Sequence, residues 1–313
     1  MTRGLLSARE RTASRPGPGP TPEALLRALD LTIARRVDAL LAGDHRSSVI
    51  GRGTELAQVR PYAPGEDDVR MIDWNVTART GQPHVRVHLA ERVLVTWLLL
   101  DTSPSMAFGT ADRRKADVAE GVALAVAYAA TRRGNRLGLV TFGGGDARQL
   151  PPRPGRVGML GLLAQLREDP AGGRPGATSL GAAFRRAGKL ARQRALVVVV
   201  SDFRGPRDWQ RPLLDLAGRH HVLAIEVRDP REQELPDVGE LRLVDPETGR
   251  QLRVDTGNRR LRERFASAAA EERRGLEREL AAAGVQHVAL STSGDWLNSF
   301  ARFLRRRPPR SRR

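Results

Sequence analysis

Three features of the chain predict an α/β fold with a doubly wound, mostly parallel sheet. Short apolar runs recur from residue 93 onward, at Val93–Leu100, Leu137–Phe142, Ala195–Val200, Val222–Val227 and Val285–Leu290. Stretches of helical period separate them, and strands alternating with helices form parallel sheets covered on both faces. With 313 residues and a 40% apolar fraction, the chain can bury one large core or a core plus a small appended unit.

Residues 1–20 end in Pro-Gly alternation and are expected to form a disordered arm. Thr21 can cap a helix with Pro22 at its first position, and Leu25, Leu26, Leu29, Ile33, Val37, Leu40 and Leu41 recur on one face before Gly43. Residues 44–84 are poor in apolar side chains and read as an irregular segment with short strands. Val85, Val87 and Leu89 then alternate as in a half-buried strand. Within the sheet-forming region, helices are predicted at 113–133, 156–168, 179–192 and 208–218. Leu241–Leu243 and Leu252–Val254 flank a Pro- and Gly-containing turn and predict a hairpin. Asn258 can cap a long helix ending near Gly284, and Asp295 a final one. The expected organisation is an arm at 1–20, a small α+β segment at 21–92, the main domain at 93–304 and a basic tail at 305–313.

The chain has no cysteine, which excludes disulfides, thiolate metal sites and a cysteine nucleophile. Its N-terminus lacks the apolar stretch of a signal peptide, and its longest apolar strip is too short to span a bilayer. A cytoplasmic protein with no transmembrane segment is expected. The formal charge is +17, carried almost wholly by arginine; Lys115 and Lys189 are the two lysines. Arg302, Arg305, Arg306, Arg307, Arg310, Arg312 and Arg313 crowd the C-terminus, offering a salt-dependent contact with nucleic acid or an anionic membrane. Aromatic residues make up only 4% of the chain, a poor supply for a base-stacking platform.

Ligands of such sheets bind beyond the carboxyl ends of the strands. The first main-domain strand runs into Asp101-Thr102-Ser103-Pro104-Ser105, and the run 195–200 into Ser201-Asp202, so both aspartates should share one rim. The loop Gly172–Thr178, leading into a helix, can bring the Thr178 hydroxyl to the same place. Asp101, Ser103, Ser105, Thr178 and Asp202 make an all-oxygen set suited to Mg²⁺ first, with Mn²⁺ or Ca²⁺ as alternatives, and unsuited to zinc or copper. Two carboxylates leave residual positive charge on such an ion, which invites a carboxylate from a protein partner. Each piece also has a plainer use, since Asp, Ser and Thr after a strand cap helices and close Asx turns.

In order and placement these five residues resemble the metal-ion-dependent adhesion site of von Willebrand factor type A domains, over roughly Val93–Arg305. The resemblance implies that Ser103, Ser105 and Thr178 contact the ion directly and that Asp101 and Asp202 act largely through water or hydrogen bonds. Upstream, Arg60-Pro61-Tyr62-Ala63-Pro64-Gly65-Glu66-Asp67-Asp68, Arg70, Ile72-Asp73-Trp74 and Ala78-Arg79 are similar to the signature of the bacterial family called domain of unknown function 58. That likeness implies an accessory or co-chaperone role beside a MoxR-type AAA+ ATPase. It differs from many relatives in lacking membrane-spanning helices before the signature. Within the signature, Pro61, Pro64 and Gly65 are expected to set a tight turn, Asp73 to pair with Arg79, and Tyr62 and Trp74 to pack onto the main sheet.

An enzyme is not expected. A metal hydrolase needs a base beside the metal-bound water, and none of His45, His84, His88, His220, His221 and His287 falls in the three rim loops. No phosphate-binding or nucleophile-elbow fingerprint follows a strand.

Overall fold

The computed structural model describes residues 17–19, 50–89, 95–131, 135–143, 147–168, 179–245 and 248–305. The helix expected from Thr21, the loop carrying Thr178 and the tail beyond Arg305 lie outside them. The chain divides into two units, one of Asp38–Val93 and one of Met1–Val37 with Leu94–Arg313.

In the smaller unit, β1 (Ile50–Pro61) pairs antiparallel with β2 (His84–Leu89). Between them the chain turns at Ala63, whose carbonyl accepts the Glu66 and Asp67 N–H groups while Gly65 takes φ 87°. Asp67 braces the turn by accepting two bonds from the Arg60 guanidinium, at 2.9 and 2.7 Å, and one from the Ala63 N–H at 2.9 Å. Asp73 caps α1 (Trp74–Thr80) through Oδ1, and its Oδ2 accepts from Arg86 Nε at 2.7 Å. The expected Asp73–Arg79 pair is thus replaced by Asp73–Arg86, because Arg79 sits in the last helical turn, away from the cap, and β2 brings Arg86 alongside it. Trp74 is 70% exposed, so its ring is not packed away as expected.

The larger unit is built on a six-stranded sheet of β3 (Val95–Asp101), β4 (Arg136–Phe142), β5 (Gln149–Pro154), β6 (Leu196–Ser201), β7 (His221–Arg228) and β10 (Gln286–Ser291), ordered β10-β7-β6-β3-β4-β5. All neighbours are parallel except β4 and β5. The expected α/β architecture is therefore present, with an antiparallel edge strand added. A separate hairpin joins β8 (Glu240–Val244) and β9 (Gln251–Asp255).

Among the described residues of this unit lie the helices α2 (Lys115–Ala130), α3 (Gly155–Glu168), α4 (Leu180–Leu190), α5 (Gln210–Ala217), α6 (Arg259–Ala282) and α7 (Trp296–Arg305). Alternation in the central strands serves both faces. Trp97, Leu99, Val197 and Val199 pack with Leu180, Phe184, Leu213, Leu216 and Leu280 from α4, α5 and α6, while α2 covers the opposite face beside α3 and α7. The Trp296 indole N–H donates to the Pro18 carbonyl at 2.9 Å, tying residues 17–19 to α7. Among the described residues no helix is long and apolar enough to cross a membrane.

After β3 the chain moves to β4 on one side, and it later returns through β6 on the other. The carboxyl ends of β3 and β6 therefore flank the point where strand order reverses, the usual ligand position in such sheets.

Trp97 stands opposite Gly138 in the ladder, and a Cβ added at Gly138 would meet the indole at 2.8 Å. Gly138→Ala is expected to destabilise the unit by about 1–3 kcal/mol and to shift Trp fluorescence. Urea unfolding that matches wild type would show that the ring has room to move.

Candidate functional site at the sheet rim

Asp101 is the last residue of β3 and is 2% exposed. Its Oδ1 accepts the Ser103 N–H at 2.9 Å, closing an Asx turn, and its Oδ2 accepts the Ser201 hydroxyl at 2.5 Å. The turn leads into a short 3-10 helix, Pro104–Ala107, that holds the Ser103 and Ser105 hydroxyls 3.0 Å apart. Thr102 pins the loop to the neighbouring strand, its N–H and hydroxyl both donating to the Phe142 carbonyl.

Asp202 follows β6 and is 5% exposed. Its Oδ1 accepts the Arg204 N–H at 3.0 Å, its Oδ2 accepts from Lys115 Nζ at 2.6 Å, and the Ser105 hydroxyl also bonds to this carboxylate. Directly after it, Phe203 adopts a left-handed backbone with φ 54°, a conformation costing about 1–2 kcal/mol for a residue with a side chain. Its N–H donates to Ser201 Oγ at 3.0 Å, and its ring meets Trp209 edge to face with centroids 6.1 Å apart. One serine hydroxyl thus links the Asp101 carboxylate to the strained turn that sets Asp202.

Four of the five residues expected from sequence are brought into one hydrogen-bonded cluster; Thr178 lies outside the described residues. Lys115 and Glu232 complete the cluster, and sequence reasoning missed both. Lys115, the first residue of α2, has no exposed side-chain surface, and besides Asp202 it donates to Glu232 Oε1 at 2.7 Å. A lysine at a helix N-terminus opposes the helix dipole, so its retention there follows from the two carboxylates. The signal available in sequence was a lysine kept where nearly every other cation is arginine. Glu232 sits in a 3-10 turn, Pro230–Glu232, and its Oε2 accepts the Asp229 N–H at 3.0 Å. Asp229, fully buried after β7, accepts from the Thr110 N–H at 2.7 Å, the Thr110 hydroxyl at 2.5 Å and the Thr292 hydroxyl at 2.7 Å. It ties the loops following β3, β7 and β10 together. Behind Asp202 lies a cavity of about 30 Å³ bordered by Arg204, Glu226, Gln233 and Arg273, room for about one water.

The two adjacent carboxyls are shifted in opposite directions. Burial, and then the negative charge of Asp202, push Asp101 up to about 7 against the hydrogen bonds from Ser103 and Ser201. Burial also raises Asp202, but the charge and hydrogen bond of Lys115, the Arg204 N–H and Ser105 together hold it below the usual carboxylate range. Lys115 is itself destabilised as a cation by burial, yet Asp202 and Glu232 more than compensate and raise it. The separation follows from placement: the ammonium touches one carboxylate and not the other.

The two hydroxyls and two carboxylates of the cluster are hard oxygen donors of the kind a divalent cation takes, while the Lys115 ammonium already engages one oxygen of Asp202. Among the described residues no group of three or more His, Cys, Asp or Glu is arranged to hold a metal ion. Any ion at this rim would therefore depend on the serine hydroxyls.

Residues 58–275 match the family described as Protein of unknown function DUF58, and the chain belongs to that family. It is 43% identical over 290 residues to Uncharacterized protein Mb1516 of Mycobacterium bovis, covering 91% of this chain and 89% of that one. Among solved structures, BatB from Bacteroides thetaiotaomicron is 16% identical with a TM-score of 0.45, covering 67% of this chain and 97% of that one. A von Willebrand factor type A protein from Catenulispora acidiphila is 19% identical with a TM-score of 0.35, covering 44% and 33% respectively.

Folded Asp101 holds its proton to higher pH than the unfolded carboxyl, which titrates near 3.8. Its contribution to stability is complete below that value and is lost as pH rises through about 7. The unfolding free energy of wild type minus that of Asp101→Asn should accordingly fall between about pH 4 and about pH 7 and level off above. A flat difference across that range would contradict the assigned charge state.

Proposed function

We propose that the chain is a protein-interaction module whose rim holds one divalent cation, Mg²⁺ in the first instance, through Ser103, Ser105 and Thr178 with Asp101 and Asp202. The observation that carries this reading is the convergence of Asp101, Ser103, Ser105 and Asp202 at the reversal point of the sheet. A bound cation would supply residual positive charge and an open position for a carboxylate from a partner. The chain's own part is to hold the hydroxyls 3.0 Å apart, to fix Asp101 through Ser201, and to keep Asp202 ionised. The role proposed is binding rather than catalysis, because a metal hydrolase needs a base beside the metal-bound water and no histidine was expected in the rim loops. The family resemblance names a MoxR-type AAA+ ATPase as the partner to try first.

Pull-downs on a MoxR-type ATPase with and without a chelator, using wild type and Asp101→Ala, test this directly. Capture should be lost on chelation, restored by Mg²⁺, and absent from the variant at any Mg²⁺ level. Equal recovery in all conditions would refute capture through the cation.

A further inference from the structure

The rim already contains a cation. The Lys115 ammonium lies 2.6 Å from Asp202 Oδ2 and 2.7 Å from Glu232 Oε1, with no exposed side-chain surface, and the Phe108 ring centroid is 5.9 Å away. Its backbone N–H donates to the Phe108 carbonyl at 2.9 Å, which anchors the point from which the side chain extends. Glu232 is held independently, by the Asp229 N–H and by Arg204 Nε at 3.6 Å. Lys115 therefore bridges two anionic partners at once. One belongs to the proposed ion site and the other does not.

We infer that Lys115 is a tethered cation that competes with a divalent ion for Asp202. When the ion is absent the ammonium neutralises Asp202 and keeps the rim closed on itself. When the ion is present Asp202 turns toward it, and Lys115 keeps Glu232 alone. The inference rests on the reading of the rim as a divalent-cation site. Two positive charges sharing one buried carboxylate repel each other at low dielectric, so the lysine weakens ion binding. Glu232 relieves that repulsion by giving the displaced ammonium a partner. Lys115 and Glu232 should thus act in opposite directions on affinity, although losing either one breaks a buried ion pair and lowers stability.

The test is calorimetric titration of the full chain with Mg²⁺ and with Mn²⁺, accompanied by the shift in melting temperature that each ion produces. Lys115→Met is expected to bind about tenfold more tightly or better, with a larger ion-induced shift than wild type. Glu232→Gln is expected to bind several-fold more weakly. Should Lys115→Met fail to fold, Lys115→Met/Glu232→Gln removes one charge of each sign and is expected to fold and to bind more tightly than wild type. Equal affinities in wild type and variants would overturn the competition while leaving the rim as an ion site. Absence of binding by every protein would overturn both.

Discussion

Asp101 and Asp202 leave adjacent parallel strands at the same end, and both are buried, so the rim must accommodate two like charges where water cannot screen them. The hydrogen-bonded cluster is arranged around that constraint. Asp101 is satisfied by the Ser103 N–H and the Ser201 hydroxyl and is pushed toward its neutral form, whereas Asp202 keeps its charge against the Lys115 ammonium. Lys115 in turn needs Glu232, and Glu232 is placed by Asp229. Removing one member leaves a buried group without its counterpart, a far larger loss than an exposed ion pair would represent.

The sheet topology creates this problem and also supplies the means of using it. Reversal of strand order between β3 and β6 opens a space at their carboxyl ends, and the loops there are held by unusual backbone and buried polar anchors. Phe203 accepts a left-handed conformation so that the chain turns sharply after Asp202. Asp229 fastens loops from three strands. Strain of this kind clusters at functional sites and costs on the order of 1–3 kcal/mol per residue.

The sheet was legible because its central strands are uninterrupted apolar runs, as strands covered on both faces must be. Val95–Asp101 and Leu196–Ser201 could be read almost to the residue. β5 was not, since Gln149–Pro154 contains three prolines, tolerable only on an edge strand such as this one. β1 was hidden for another reason: a long strand in a small two-stranded sheet carries no strong alternation. Of the site, the aspartates and serines were readable from their positions after strands, because the topology alone brings them together. Lys115 and Glu232 were not, as they pair with each other across 117 residues, Lys115 reaches Asp202 across 87, and each resembles an ordinary surface charge. Asp73 illustrates the same limit, its partner Arg86 arriving from a strand rather than from its own helix.

A divalent ion held by the converging hydroxyls and carboxylates of the rim is the proposal on which the rest depends. Crystals of the full chain grown with Mn²⁺ and measured for anomalous scattering would locate it. One peak is expected within coordination distance of both Ser103 Oγ and Ser105 Oγ, with Asp202 drawn toward it. Data of good quality with no peak there, and with the Lys115–Asp202 contact intact, would contradict it.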